Sequence, residues 1–102
     1  MKVEWATSPW QKFVGLMFRK KLKKPLVLVL VVESRWMASI HTMFMRFPID
    51  LVFLDSKKRV VDVARNVKPW RMNIVPKKPA KYVVEMKAGT AKQKLGAKVK
   101  LE

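Results

Sequence analysis

The residues that could do chemistry gather in one stretch of this sequence, SIHTMFMRFPIDLVFLD, at positions 39 to 55. It holds the only histidine, His41, and sets Met43, Met45, Arg46 and Asp50 among apolar neighbours. If the stretch is extended, His41, Met43 and Met45 share one strand face, because successive side chains alternate. An imidazole with two thioethers is a soft donor set of the kind that selects Cu(I). A methionine stripe filling an irregular core accounts for the same spacing, since seven methionines are spread along the chain, and neither a metal nor another cofactor is expected. Asp50 makes the sharper demand. An ionised carboxylate in apolar surroundings needs a base such as His41 or Arg46, a cavity mouth, or backbone N–H groups near Pro48. His41 and Asp50 could also act as an acid–base pair, but no nucleophile or oxyanion donor accompanies them, and the sequence points away from an enzyme. It has no glycine-rich phosphate loop, nucleophile elbow or carboxylate pair at metal-ligand spacing. With no cysteine in the chain, disulfide frameworks, zinc ribbons and thiol catalysis are excluded as well.

Charge supplies a second kind of chemistry. The 102 residues include 23 Lys or Arg against 7 Asp or Glu, a formal net charge of +16, and a field of that sign attracts polyanions. Arg35-Trp36 and Trp70-Arg71 set aromatic rings beside cations, an arrangement that can stack on unpaired bases, and Lys77-Lys78 adds charge nearby. Arg35, Trp36, Arg71, Lys77 and Lys78 are therefore the candidate nucleic-acid contacts. Against this, Lys20, Lys21, Lys23, Lys24, Lys57 and Lys58 fall in ones and twos at turn-like positions, as solubilising charge does. No ribonucleoprotein motif, GXXG clamp or helix-turn-helix is present.

The elements that must position these residues follow from periodicity. Val3 and Trp5 alternate with polar or small neighbours as a short strand. Ser8, Pro9 and Gln11 then supply the N-cap, first helical position and capping-box partner of a helix. Its apolar stripe would be Trp10, Phe13, Val14 and Met17, and the basic run Arg19 to Lys24 would close it before Pro25. Gly15 inside that helix costs about 1 kcal/mol relative to Ala, so close approach of a neighbouring backbone is expected there. Leu26 to Glu33 is apolar on both faces and reads as a strand covered on both sides. A turn over Ser34 to Ala38 and an extended segment over Ser39 to Phe47 follow. Ile49 to Leu54 and Arg59 to Asn66 form a hairpin around Asp55-Ser56-Lys57-Lys58. Val67 to Pro79 is a loop long enough to be a rim or lid. Lys81 to Met86 alternates as a half-buried strand. Thr90 with Gln93 predicts a second short helix, Ala91 to Leu95, stopped by Gly96, and Lys98 to Leu101 predicts a closing strand.

The sum is one domain, residues 1–102, mainly β (α+β), with six or seven short strands in a sandwich or partly closed barrel and two small helices. Met1 to Trp5 lacks the form of a signal peptide. The longest apolar run, Leu26 to Val32, is seven residues, where a spanning helix needs roughly 20. A cytoplasmic location without a membrane span is expected. Leu101-Glu102 is compatible with an expression-vector scar and carries no weight.

Four motifs in order, GLMFRK (Gly15 to Lys20), SIHTMFMRFPIDLVFLD, RVVDV (Arg59 to Val63) and YVVEMKAGTAKQKLG (Tyr82 to Gly96), resemble the uncharacterised family called domain of unknown function 192, or uncharacterised protein family 0127. The most specific part is His41, Phe44 and Met45, followed by Pro48 to Asp50 and Phe53 to Asp55. The resemblance implies a compact, mainly β fold with small flanking helices and brings no reaction with it. It is to the short archaeal form. Where other relatives have cysteine in the proline-rich loop, this chain has Pro69-Trp70, so a thiol role for that loop is not implied. Two functions are carried forward. One is a non-catalytic β domain with a small-ligand or partner pocket at His41, Met45, Asp50, Arg46 and Trp70, rimmed by the Val67 to Pro79 loop. The other is a polyanion-binding module for RNA or DNA. Ligand, partner and oligomeric state are not given by the sequence.

Overall fold

The alternating apolar residues are arranged as a single mixed sheet. The computed structural model describes residues 1–17 and 19–102, leaving out the side chains of Pro9, Phe13 and Val14. The described elements are β1 (Glu4–Ala6), α1 (Pro9–Val14), β2 (Leu26–Ser34), β3 (Ile49–Leu54), β4 (Val60–Val67) and β5 (Ala80–Lys87). The sheet order is β1-β2-β5-β3-β4, with β1 parallel to β2 and the other pairs antiparallel.

The mainly β expectation holds, with differences in detail. Five strands form one open sheet in place of six or seven in a sandwich or barrel, and α1 is the only helix among the described residues. Ser39 to Phe47 is not a continuous strand. Ile40 makes one bridge to Ile74, after which Phe44 turns the chain at a φ of +62°. Lys98 to Leu101 makes one bridge, from Lys98 to Arg59, in place of a strand, with Val99 buried in the second core cluster. Leu101 packs on the second core cluster, and the Glu102 backbone bonds to Met1 and Val3, so the last two residues take part in the fold.

The capping box at α1 forms as read, with Ser8 Oγ accepting from Gln11 N and Gln11 Oε1 from Ser8 N. The helix ends after Val14, well short of Lys24, because Gly15 adopts a φ of +49°. Trp10 is exposed, so the expected inward stripe does not include it. The Phe13 and Val14 parts of that stripe, and Phe18 in the first family motif, lie outside the described residues.

Both faces of the sheet are covered at its centre, but β2 runs out into solvent at Val31 and Val32, so the strand read as covered on both sides is so only in its first half. Leu26, Leu28, Leu51, Phe53 and Val83 belong to one apolar cluster, and Val27, Val52, Leu54, Val84 and Met86 to the other, as a two-residue strand period requires. β5, read as half-buried, is central and buried from Val83 to Met86.

The second predicted helix does not form, and Asp50 holds the start of that segment. Its Oδ1 accepts from Asn66 N at 2.8 Å, and its Oδ2 from Gly89 N at 2.9 Å and Ala91 N at 3.0 Å. The helix is lost because the Thr90 hydroxyl reaches back to the Lys87 carbonyl instead of capping forward, the Ala91 carbonyl accepts from Arg65 Nε, and the Gly96 N–H donates to Val60 O. Asp50 thus ties the C-terminal loop onto the sheet face lined by Val52 and Leu54.

Stranding three backbone donors costs about 1–3 kcal/mol for each that stays buried. Asp50→Ala should lower the unfolding free energy by about 3 kcal/mol or more, read from urea midpoints. Asp50→Asn, which keeps one acceptor oxygen, should fall between. An unchanged Asp50→Ala midpoint would remove this role.

Candidate functional site

On the opposite sheet face the same strand alternation buries a second carboxylate. Glu85 pairs with Leu26 on one side and Leu51 on the other, at the centre of the sheet. It is 3% exposed, and its Oε1 has no hydrogen-bond partner, the only such buried side-chain atom among the described residues. Burial pushes its pKa from the ordinary 4.5 up to about 8, with the Arg19 charge pulling weakly the other way. Arg19 itself is bonded to Glu4, at 2.7 Å.

Glu85 opens into a cavity of about 310 Å³. Leu28 and Leu30 of β2 form one wall, and the turn after α1 brings Gly15, Leu16 and Met17 to another. Gly15 was expected to face a backbone, but a Cβ there would come within 3.4 Å of Glu85 Oε1, so it is the carboxylate that approaches. Lys12 also reaches the cavity, with Nζ donating to Val29 O at 3.1 Å rather than to Glu85. The irregular segment after β2 completes the lining with Met37, Ser39, Ile40, His41 and Met45. His41 Nδ1 accepts from Met43 N at 3.2 Å.

Of the residues singled out for a pocket, His41 and Met45 line this cavity. Asp50 does not: Ile49 and Leu51 face the cavity side, so strand parity sends Asp50 to the other. His41 and Asp50 therefore share no cavity and form no pair. Arg46 is exposed and outside the lining. Trp70 is exposed too, its ring 4.8 Å from that of Phe44. The His-Met-Met face is broken by the turn at Phe44, with Met45 buried and Met43 outside the lining. Among the described residues, no three His, Asp or Glu side chains come together as a metal-binding group. Arg35, Trp36, Arg71, Lys77 and Lys78 are all exposed.

The half-buried alternation of Lys81 to Met86 does not single out Glu85, which shares its parity with Lys81 as well as Val83. The available signal was a carboxylate inside the apolar run Val83 to Met86, the same pattern that drew attention to Asp50.

The sequence matches the family DUF192, described as an uncharacterized ACR, over residues 1–101. It is 49% identical over 85 residues to a UPF0127 protein of Pyrococcus furiosus, covering 83% of this chain and 71% of that one. A UPF0127 protein of Pyrococcus horikoshii is 45% identical over 102 residues, covering 97% and 86%. Among solved structures, a protein of unknown function from Novosphingobium aromaticivorans superposes with a TM-score of 0.87 at 25% identity, over 96% of this chain and 73% of that one.

The raised Glu85 pKa makes stability depend on pH. Below about pH 4.5 folded and unfolded states both hold the proton. Between 4.5 and about 8 only the folded state does, so stability falls as pH rises, and above about 8 the loss is complete. Glu85→Gln should remove this component. Compared by urea unfolding from pH 5 to 9, the variant should gain on the parent as pH rises, ending more stable by a few kcal/mol. Parallel pH profiles would show that the carboxyl is not held neutral.

Proposed function

We propose that this chain, which belongs to the uncharacterised DUF192 family, is a non-catalytic β domain over residues 1–102 whose cavity binds a small, largely apolar ligand with one hydrogen-bonding head group. The observation that carries this reading is Glu85 Oε1, buried without a partner on a cavity wall. Such an atom forfeits about 1–3 kcal/mol, and a ligand head group that bonds to it recovers that loss. Apolar walls with a few convergent polar groups are the usual composition of a ligand site, and about 310 Å³ suits a small molecule.

The polar groups narrow the ligand. A protonated Glu85 both donates and accepts, as an alcohol, amide or carboxylic acid requires of its partner. A cationic head is opposed by the net charge of +16 and by Lys12 at the same cavity. Leu28, Leu30, Met37 and Met45 would hold the apolar body, the thioethers adjusting to its shape. His41 would close the mouth.

No helix among the described residues is long and apolar enough to cross a membrane. A cytoplasmic setting accompanies the proposal, in keeping with a chain that has no cysteine.

The test is a titration of isotope-labelled protein with benzyl alcohol, benzamide and benzylamine, followed by amide chemical shifts. Benzyl alcohol and benzamide should shift the resonances of Leu28, Leu30, His41 and Glu85 with a Kd of about 1 mM or tighter, and benzylamine should be weaker. Ser39→Trp, which fills the cavity from its exposed rim, should abolish the shifts. Folded protein showing no cavity shifts with any probe would end the proposal.

A further inference from the structure

The segment that walls the cavity has an outward side of different character. Residues 35–46 run antiparallel to residues 68–78 and are fastened to them along their length. Ile40 and Ile74 exchange both backbone hydrogen bonds, at 2.9 and 3.0 Å. Thr42, fully buried, donates its N–H to Arg71 O and accepts at its own carbonyl from Trp70 N, each at 2.8 Å. Its hydroxyl donates to Lys68 O at 2.7 Å and accepts from Arg71 N at 2.9 Å. At the other end Arg35 Nε donates to Pro76 O at 3.0 Å. The two segments form one ribbon.

That ribbon holds large rings in solvent at a cost. Trp36 is 71% exposed, Trp70 57% and Phe44 43%. Phe44 and Trp70 also occupy left-handed backbone conformations, with φ of +62° and +67°, which cost of order 1–3 kcal/mol each at a bulky residue. Burying the rings would have been favourable, yet the Thr42 bonds hold the backbone so that Trp70 stays outward, against Phe44. The Arg35 guanidinium lies 5.2 Å from the Trp36 ring centre. Residues 34–49 and 68–79 together contain six Lys or Arg and no Asp or Glu. The carboxylate found at the ribbon's edge is Asp62, which accepts from Lys77 N.

We infer that this ribbon is a binding surface for single-stranded nucleic acid, with Trp36 and Trp70 as base-stacking platforms and Arg35, Arg71, Lys77 and Lys78 on the phosphates. Rings fixed on a rigid ribbon among cations suit unpaired bases, which present a π face whatever their identity. Trp36 and Phe44 are eight residues apart, at most about 29 Å along the chain, room for only a few nucleotides. A lipid surface would use the charge and the apolar rings but would not require the strained, fixed placement. The inference is independent of the cavity and of its ligand.

The test is fluorescence anisotropy of labelled dT12 and U12 with the whole chain between 50 and 200 mM salt. Both oligomers should bind, with a log–log salt slope no steeper than about −4 if up to six phosphates are neutralised. Trp36→Ala and Trp70→Ala, both at exposed positions, should each weaken binding about 5-fold or more with the slope unchanged. Lys92→Ala with Lys94→Ala, on the C-terminal loop, should weaken it less than either tryptophan change. No binding of dT12 or U12 at 50 mM salt overturns the inference. So do tryptophan variants no weaker than the lysine pair, which would mean charge alone. Tryptophan-dependent binding to phosphatidylglycerol vesicles without binding to either oligomer overturns it in favour of a membrane.

Discussion

A carboxylate buried in a sheet must find donors or give up its charge, and the two faces of this sheet take the two courses. Asp50 and Glu85 lie on adjacent central strands, β3 and β5, and point to opposite sides. Asp50 collects three backbone N–H groups and so draws the C-terminal loop over its face. Glu85 lies buried on a largely apolar cavity wall with one oxygen unpartnered, and burial raises its pKa to about 8. One carboxylate organises structure. The other is kept in an unsatisfied state beside a cavity, which is where a ligand has something to gain.

Everything around Glu85 is arranged to leave that space. Gly15 ends α1 and presents no side chain to the carboxylate. Lys12 spends its amine on the Val29 carbonyl. The chain after β2 abandons regular structure, so that Ile40, His41 and Met45 all reach one cavity despite their spacing. Thr42 between them points elsewhere and fastens the proline-rich loop. A single irregular segment therefore serves as cavity wall on its inner side and as part of a rigid, basic, aromatic ribbon on its outer side. The net charge of +16 is distributed over a scaffold whose core does not depend on it, and on this ribbon it coincides with the exposed rings of Phe44 and Trp70 at positive φ.

Much of the fold was legible in local sequence. The Ser8–Gln11 capping box, the β3–β4 hairpin, the strand beginning at Leu26 and the long loop after Val67 all appear where periodicity and turn residues put them. The failures have a common physical origin. The helix over Ala91 to Leu95 was lost because its Ala91 carbonyl and the Gly96 amide bond to β4, at Arg65 and Val60, and Thr90 turns its hydroxyl back to Lys87. The strand over Ser39 to Phe47 was lost because Thr42 makes its bonds with a distant loop and Phe44 turns the chain. Propensity describes what a segment does alone, and these segments answer to partners remote in sequence.

The candidate site divides along the same line. Sequence alone determined the family, the mainly β class, the existence of polar residues that an apolar motif would have to accommodate, and the basic excess. It also singled out His41 and Met45, which line the cavity. Only the tertiary structure decided that Asp50 belongs to the opposite face and that Glu85, within a strand read as half-buried, sits on the cavity wall. The reason is that a strand's period of two specifies which residues share a face but not which face is covered. That depends on what packs against it, and here both faces are covered by chain distant in sequence.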